Sequence, residues 1–205
     1  ATVGSSTGKA WDYDNEVSYP FGYGLSYTTF EQTLKSVDVD LENRTVTAEV
    51  EVKNTGDVAG KDVVQLYAST PYTDYDKEHL VEKAAVQLLD YEKTDELAPG
   101  ESTKVTITAD AQDMASWDST AANEAGTTGN YILDAGDYYF TIGNGAHDAV
   151  NNVLAAQGYS ESNGMTSAGD AVNVKSWNLA AMDTTTFART ENGTAVENQL
   201  QDMDL

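Results

Sequence analysis

The sequence of 205 residues contains no cysteine, only two histidines and only three prolines. Without cysteine, disulfide bonds and thiolate metal sites are excluded, and cysteine usage gives no indication of the redox compartment. A zinc site of the usual kind would need carboxylates for nearly every ligand. Asp74, Asp76 and Glu78 alternate as calcium ligands do, but the glycine and glutamate spacing of an EF-hand is missing, which favours solvated loop carboxylates. We therefore predict no metal ligands and no cofactor.

Basic residues are also scarce, with 11 Lys and Arg against 34 Asp and Glu, and the formal net charge is -23. Such a field repels phosphate backbones and anionic lipid headgroups, so we expect neither nucleic acid nor membrane as a partner. No apolar run approaches the roughly 18 residues of a membrane span. Residues 1–16 also show no apolar signal core, and the sequence assigns no localisation.

Alternation of apolar and polar residues is the dominant pattern that the chain does have. In "TVTAEVEVKNTG", Val46, Ala48, Val50 and Val52 share one face, and residues 37–41 alternate in the same way just before them. Together these runs predict an antiparallel hairpin. Further strands are predicted at 61–70, 85–93, 102–110 and 136–143. About seven short strands separated by turn sequences, such as "APGE" with a type II turn, predict an all-β antiparallel sandwich.

Other local patterns are weaker. "LDAGDYYF" places Tyr138 as in a tyrosine corner, although an ordinary core tyrosine is an equal alternative. We predict a short helix in "HDAVNNVLAAQG", which ends at Gly158, and one or two helical turns over 111–118. From Tyr159 onward the chain loses periodicity and indicates an extended linker, parts of which we expect to contact another surface because they contain Trp177, Leu179 and Phe187.

Catalytic motifs are not convincing in this chain. "GSSTG" matches the letters of a nucleophile elbow at Ser6, but neither the strand before it nor the helix after it is predicted. "GYG" and "GNG" are isolated glycine pairs that indicate turns. Acidic residues are plentiful, yet none lies in an apolar stretch that would raise its pKa for general-acid work. An autonomous enzyme is therefore the weakest functional hypothesis.

Four motifs in the same order resemble one known family. "YPFGYGLSYTTF", "VEVKNTGDVAGKDVVQLYAS", "LLDYEKTDELAPGESTKVTI" and "LDAGDYYFTIGNGAHDAVNNVLA" are similar to the fibronectin type III-like domain of family 3 glycoside hydrolases, the β-glucosidase family. The resemblance covers about residues 17–158. It implies a fibronectin type III or immunoglobulin-like sandwich of about seven strands with long extended tails.

The resemblance also implies a role without chemistry. In that family the catalytic residues come from a barrel and an α/β sandwich, which are not present here, so this chain alone is expected to be inactive within an enzyme that hydrolyses O-glycosidic bonds of β-glucosides. The chain is similar to the subgroup with reversed domain order. Residues 1–16 would then be a linker from an upstream domain, 17–158 the sandwich, and 159–205 an extended linker toward a downstream barrel.

The aromatic stretch at the start of the sandwich is the main candidate site. As the resemblance implies, it anchors the sandwich against the catalytic domains of the same polypeptide through Tyr19, Pro20, Phe21, Tyr23 and Tyr27. Two alternatives remain open, because the rings could instead close one end of the sandwich or stack on sugars. Phe30 is expected to begin the core.

A carbohydrate-binding module is the alternative to this bracing role. It would hold polysaccharide near the active site of the parent enzyme and would need exposed rings on a flat face or in a loop. Tyr72 and Tyr75 in the loop "PYTDYDKEH" are the candidates for sugar contact.

Overall fold

Strands with one buried face account for most of the fold, as their alternating sequences predict. The computed structural model describes residues 16–163, 165 and 167–199. The "GSSTG" motif and the outer parts of both predicted linkers lie outside the described residues. The strands are β1 (Phe30–Asp40), β2 (Thr45–Asn54), β3 (Val63–Ser69), β4 (Gln87–Lys93), β5 (Ser102–Asp110), β6 (Ser116–Ala122), β7 (Thr128–Ile132), β8 (Gly136–Ile142) and β9 (Val174–Leu179). The α-helices that lie wholly within the described residues are α1 (Asp74–His79) and α2 (Ala146–Ala156).

These strands form two packed sheets and a hairpin. The first sheet has the order β1-β2-β5, the second has the order β4-β3-β8-β9, and β6 pairs with β7. Val46, Val50 and Val52 of the first sheet are fully buried against Leu66 and Phe140 of the second. Phe30 packs against the same core. The predicted all-β sandwich of the fibronectin type III or immunoglobulin-like kind is confirmed.

The tyrosine corner is present at the start of β8. The Tyr138 hydroxyl donates a hydrogen bond of 2.9 Å to the backbone oxygen of Asp134, and the ring is fully buried. Burial raises the pKa of this hydroxyl, so it remains a neutral donor. The turn "APGE" also has the predicted geometry, since Gly100 has a φ of 80° and Glu101 N–H donates to Ala98 O.

The segment after Tyr159 contains more structure than the linker prediction allowed. Strand β9 pairs antiparallel with β8, from Gly136 opposite Leu179 to Thr141 opposite Val174. Further along, Phe187 is buried beneath the Arg44 guanidinium, 4.7 Å from its ring centroid. The predicted linker therefore contains a strand that the sequence did not indicate, because "VKSWNL" is short and only partly buried. The surface that its apolar residues contact is the sandwich itself.

The segment 111–118, predicted to form one or two helical turns, is helical only at its start. Only Ala111–Met114 forms a turn of 3-10 helix, and the chain then enters β6 instead of continuing as a helix. By contrast, the predicted helix near residue 150 exists as α2, with Val153 buried on its inner face. The sequences of β6, "SWDSTAA", and β7, "TGNYI", contain few apolar residues and no regular alternation, so neither strand of this hairpin was predicted.

Candidate functional site

The candidate docking surface is the segment 19–27, here called the aromatic segment. Its large apolar side chains point into solvent, and the exposed fractions are 66% for Phe21, 87% for Leu25 and 100% for Tyr27. Tyr19 and Tyr23 are also exposed and lie beside each other, with ring centroids 5.2 Å apart. Neighbouring exposed rings of this kind mark an interaction surface more often than isolated apolar residues do.

The backbone of the aromatic segment is nevertheless fixed to the sandwich. The Gln65 side-chain amide donates 2.9 Å to Gly22 O, and Ala146 N–H donates 2.9 Å to Phe21 O. Gly22 has a φ of 86°, and a Cβ there would lie 2.3 Å from Gln65 Oε1, so only glycine fits. At the far side of the chain reversal, Tyr23 N–H donates 3.1 Å to the oxygen of Pro20, which is half-buried.

A buried tyrosine supports this attachment. The Tyr67 hydroxyl donates 2.6 Å to Gln65 Oε1, which orients the Gln65 amide toward Gly22. Burial raises the pKa of Tyr67 to about 12, and the nearby charge of Asp148 adds to the effect. The hydroxyl is therefore a neutral donor at physiological pH. The rings of the aromatic segment project from a backbone that two strong contacts hold in place.

A second feature is the stretch 71–83 between β3 and β4, here called the helical loop. Thr73 caps its helix α1: the Thr73 side chain accepts from Asp76 N–H, and Asp76 Oδ2 accepts 2.6 Å from Thr73 N–H. Lys83 closes the loop: its ammonium lies 2.9 Å from Asp76 Oδ1, contacts Asp134 Oδ2, and donates 2.8 Å to Pro71 O. Burial raises the pKa of Asp134, although Lys83 opposes that shift.

The two predicted sugar contacts have different surroundings in the helical loop. The Tyr75 ring stacks on His79, with centroids 3.8 Å apart, and its hydroxyl donates 2.6 Å to Asp118 Oδ2. One face of this ring is therefore covered within the chain. Tyr72 is 57% exposed, with the Lys77 ammonium 6.0 Å from its ring centroid. Among the described residues, the ring contact of Tyr75 is with His79 and not with Tyr72.

Two of the three carboxylates that could suit calcium, Asp74 and Asp76, are engaged in ion pairs. Asp76 is buried beside Lys83, and Asp74 Oδ1 lies 2.7 Å from the Lys77 ammonium. Within the described residues, no group of three or more His, Asp and Glu side chains is placed to hold a metal ion. Of the helices in the described ranges, none is long and apolar enough to cross a bilayer.

Sequence reasoning missed Leu80 and Lys83. Leu80 ends α1 in the left-handed conformation with a φ of 58°, and it is 86% exposed. Nothing in "DKEHLVEK" distinguishes this leucine from a core residue, because its neighbour Val81 is buried. Lys83 pairs with a carboxylate 51 residues away, which no local pattern could indicate.

Comparison with known proteins identifies similar chains. The model of the fibronectin type III-like domain matches residues 62–146. A β-glucosidase of Ruminococcus albus is 39% identical over 138 residues, which are 66% of this chain and 13% of that protein. β-Glucosidase A of Butyrivibrio fibrisolvens is 39% identical over 148 residues, covering 65% of this chain and 16% of that protein.

A solved structure agrees with these relatives. The crystal structure of β-glucosidase from Kluyveromyces marxianus in complex with glucose superposes with a TM-score of 0.56 and 28% identity, covering 84% of this chain and 16% of that one. The present chain therefore spans 13% to 16% of the length of these three proteins.

Proposed function

We propose that this chain braces the catalytic domains of a β-glucosidase and performs no chemistry itself, because it belongs to the fibronectin type III-like domains of the family 3 β-glucosidases. The parent protein would hydrolyse O-glycosidic bonds of β-glucosides. The observation that carries this proposal is the aromatic segment, in which a fixed backbone presents exposed rings. Such a surface binds with little loss of conformational entropy.

The proposed partners are the catalytic domains of the same polypeptide. Burying one Phe or Leu side chain contributes about 1.5–3 kcal/mol, so two or three rings suffice to hold a domain that is already tethered. If the rings served only to close one end of the sandwich, they would be buried, whereas Phe21 and Tyr27 are largely exposed. Exposure favours the interdomain role for Tyr19, Phe21, Tyr23 and Tyr27, and the half-buried Pro20 would support them through the chain reversal that it forms with Tyr23.

We also propose the reversed domain order for the parent protein. Residues 1–16 would lead from an upstream α/β sandwich, and the polar tail would lead to a downstream barrel. Because β9 is paired within the second sheet and Phe187 and Ala188 are buried, the proposed linker would begin after Ala188 and not at residue 159.

The test is a double substitution, Phe21→Ala with Tyr23→Ala, in the complete polypeptide and in the isolated chain. In the isolated chain we expect a nearly unchanged melting temperature, since both rings are exposed. In the complete polypeptide we expect a lower melting temperature and faster loss of β-glucosidase activity on heating.

Tyr91→Ala is the matched control, because Tyr91 is equally exposed but lies on β4, outside the aromatic segment. Tyr91→Ala should leave the melting temperature unchanged in both the isolated chain and the complete polypeptide. Unchanged stability and activity of the double variant in the complete polypeptide would count decisively against the bracing role.

A further inference from the structure

We propose that the helical loop is a second docking point, at which Leu80 inserts into an apolar pocket of another domain of the same polypeptide. This inference rests on the bracing role proposed above and assigns to it a surface separate from the aromatic segment. Gln65, near the start of β3, holds the aromatic segment, whereas the helical loop follows the other end of that strand.

Leu80 is unfavourable in the isolated chain for two independent reasons. Its backbone lies in the left-handed region, with a φ of 58° and a ψ of 34°, where the Cβ of an L-residue comes too close to the following carbonyl oxygen. Glycine is the usual residue at this place after a helix. Its side chain is also 86% exposed, so it contributes almost nothing to the core of this chain. Such an outlier points to a contact that lies outside the chain.

The surroundings of Leu80 keep it in one position. The next residue, Val81, is buried and donates its N–H to Asp76 O at 2.8 Å, which fixes the backbone on that side. Lys83 ties the end of the helical loop to Pro71 at its beginning. His79 Nδ1 lies 2.8 Å from Thr120 Oγ1 and so connects α1 to β6. An apolar side chain on so rigid a support loses little entropy when it is buried.

The net charge of this chain and the greater length of its relatives indicate which partner Leu80 would contact. A second copy of this chain is disfavoured, because each copy carries a formal charge of -23 and the copies would repel one another. In the relatives described above, the matching region is only 13% or 16% of the protein, so most of such a polypeptide is available as a partner. The exposed Tyr72 at the other end of α1 and the Asp74–Lys77 pair would form the rim of the contact.

The experiment uses Leu80→Gly and Leu80→Asn, because both new residues tolerate a positive φ while removing the apolar side chain. In the isolated chain, the melting temperature should stay the same or rise by up to about 4 °C as strain is relieved. In the complete polypeptide, the half-life of thermal inactivation should shorten by about tenfold, as expected when one buried leucine contact is lost.

Val172→Ala is the control, since Val172 is similarly exposed but lies in the 3-10 turn Ala171–Asn173, away from the helical loop. It should leave both proteins unchanged. A lower melting temperature of the isolated Leu80 variants would overturn the proposal, because it would give Leu80 a role inside the chain.

The two proposals fail in different ways. If the Leu80 variants keep the parental half-life while the Phe21 and Tyr23 substitutions shorten it, the second docking point is refuted and the brace stands. If neither set has an effect in the complete polypeptide, both are refuted. A shortened half-life for the Leu80 variants, together with an unchanged isolated chain, is the result that the docking point requires.

Discussion

At the scale of single residues, Asp118 joins two parts of the chain through one carboxylate. Its Oδ2 accepts from the Tyr75 hydroxyl at 2.6 Å, and its Oδ1 accepts from Thr120 N–H at 2.7 Å and Ala121 N–H at 3.1 Å. Burial by itself would raise the pKa of Asp118, but the hydrogen bonds from Tyr75, Thr120 and Ala121 outweigh it and leave the pKa lowered. The ionised carboxylate therefore stabilises the attachment of the helical loop to β6.

This lowered pKa predicts a particular dependence of stability on pH. A carboxyl whose pKa is lower in the folded chain contributes stability above the ordinary aspartate value of about 3.9, and that contribution is lost as pH falls toward the folded pKa. The free energy of unfolding should thus differ more between the parent and Asp118→Asn at about pH 5 than at about pH 3. Urea unfolding at both pH values measures this difference.

Asp38→Asn is the control, because Asp38 is an exposed residue of β1. The difference between this control and the parent should be small at both pH values. An Asp118→Asn effect that is equally large at pH 3 and pH 5 would contradict the assigned role of the charged carboxylate.

At the scale of elements, a strand could be predicted from the sequence where its apolar and polar residues alternate regularly. β2 alternates strictly, and its apolar residues Val46, Ala48, Val50 and Val52 are buried as predicted. β9 was missed because it is an edge strand whose side chains are only partly buried, and its partner β8 precedes it by more than 30 residues. Tyr138 was predictable because its corner contact is local, whereas the ion pair of Lys83 with Asp134 depends on the folded chain.

Asn173, just before β9, connects the edges of the two sheets. Its Oδ1 accepts 2.7 Å from Leu34 N–H, and its Nδ2 donates 3.1 Å to Gln32 O, both in β1. These contacts lie beside the irregular register between Leu34 and Ser36, where the β1–β2 ladder is interrupted. The asparagine thus satisfies backbone groups on an edge strand that would otherwise be open to pairing with another chain.

We expect Asn173→Ala to lower the free energy of unfolding by about 1–3 kcal/mol, since it leaves the partly buried backbone groups of β1 without their partner. Denaturant unfolding of the isolated chain measures the change. Asn178→Ala is the matched control on β9, because its side chain makes one exposed hydrogen bond to Asp137. Equal effects of the two substitutions would show that Asn173 does not join the sheets.

At the scale of the whole molecule, the chain combines a closed sandwich core with exposed apolar side chains that do not pack in that core. The sequence indicated the aromatic segment through its unusual density of rings, and the resemblance implied an interdomain role for it. The sequence could not indicate that Gln65 fixes its backbone, because the contact of Gln65 with Gly22 spans more than 40 residues. Nor could it identify Leu80, whose importance rests on a backbone angle and on exposure.

The central claim is that the aromatic segment is buried against other domains of the same polypeptide. Hydroxyl-radical footprinting of the complete polypeptide and of the isolated chain tests it directly, with the exposed Tyr91 as an internal reference. The account predicts that Phe21, Tyr23 and Tyr27 are labelled several times more slowly in the complete polypeptide, while Tyr91 is labelled equally in both. Equal labelling of the aromatic segment in the two proteins would contradict it.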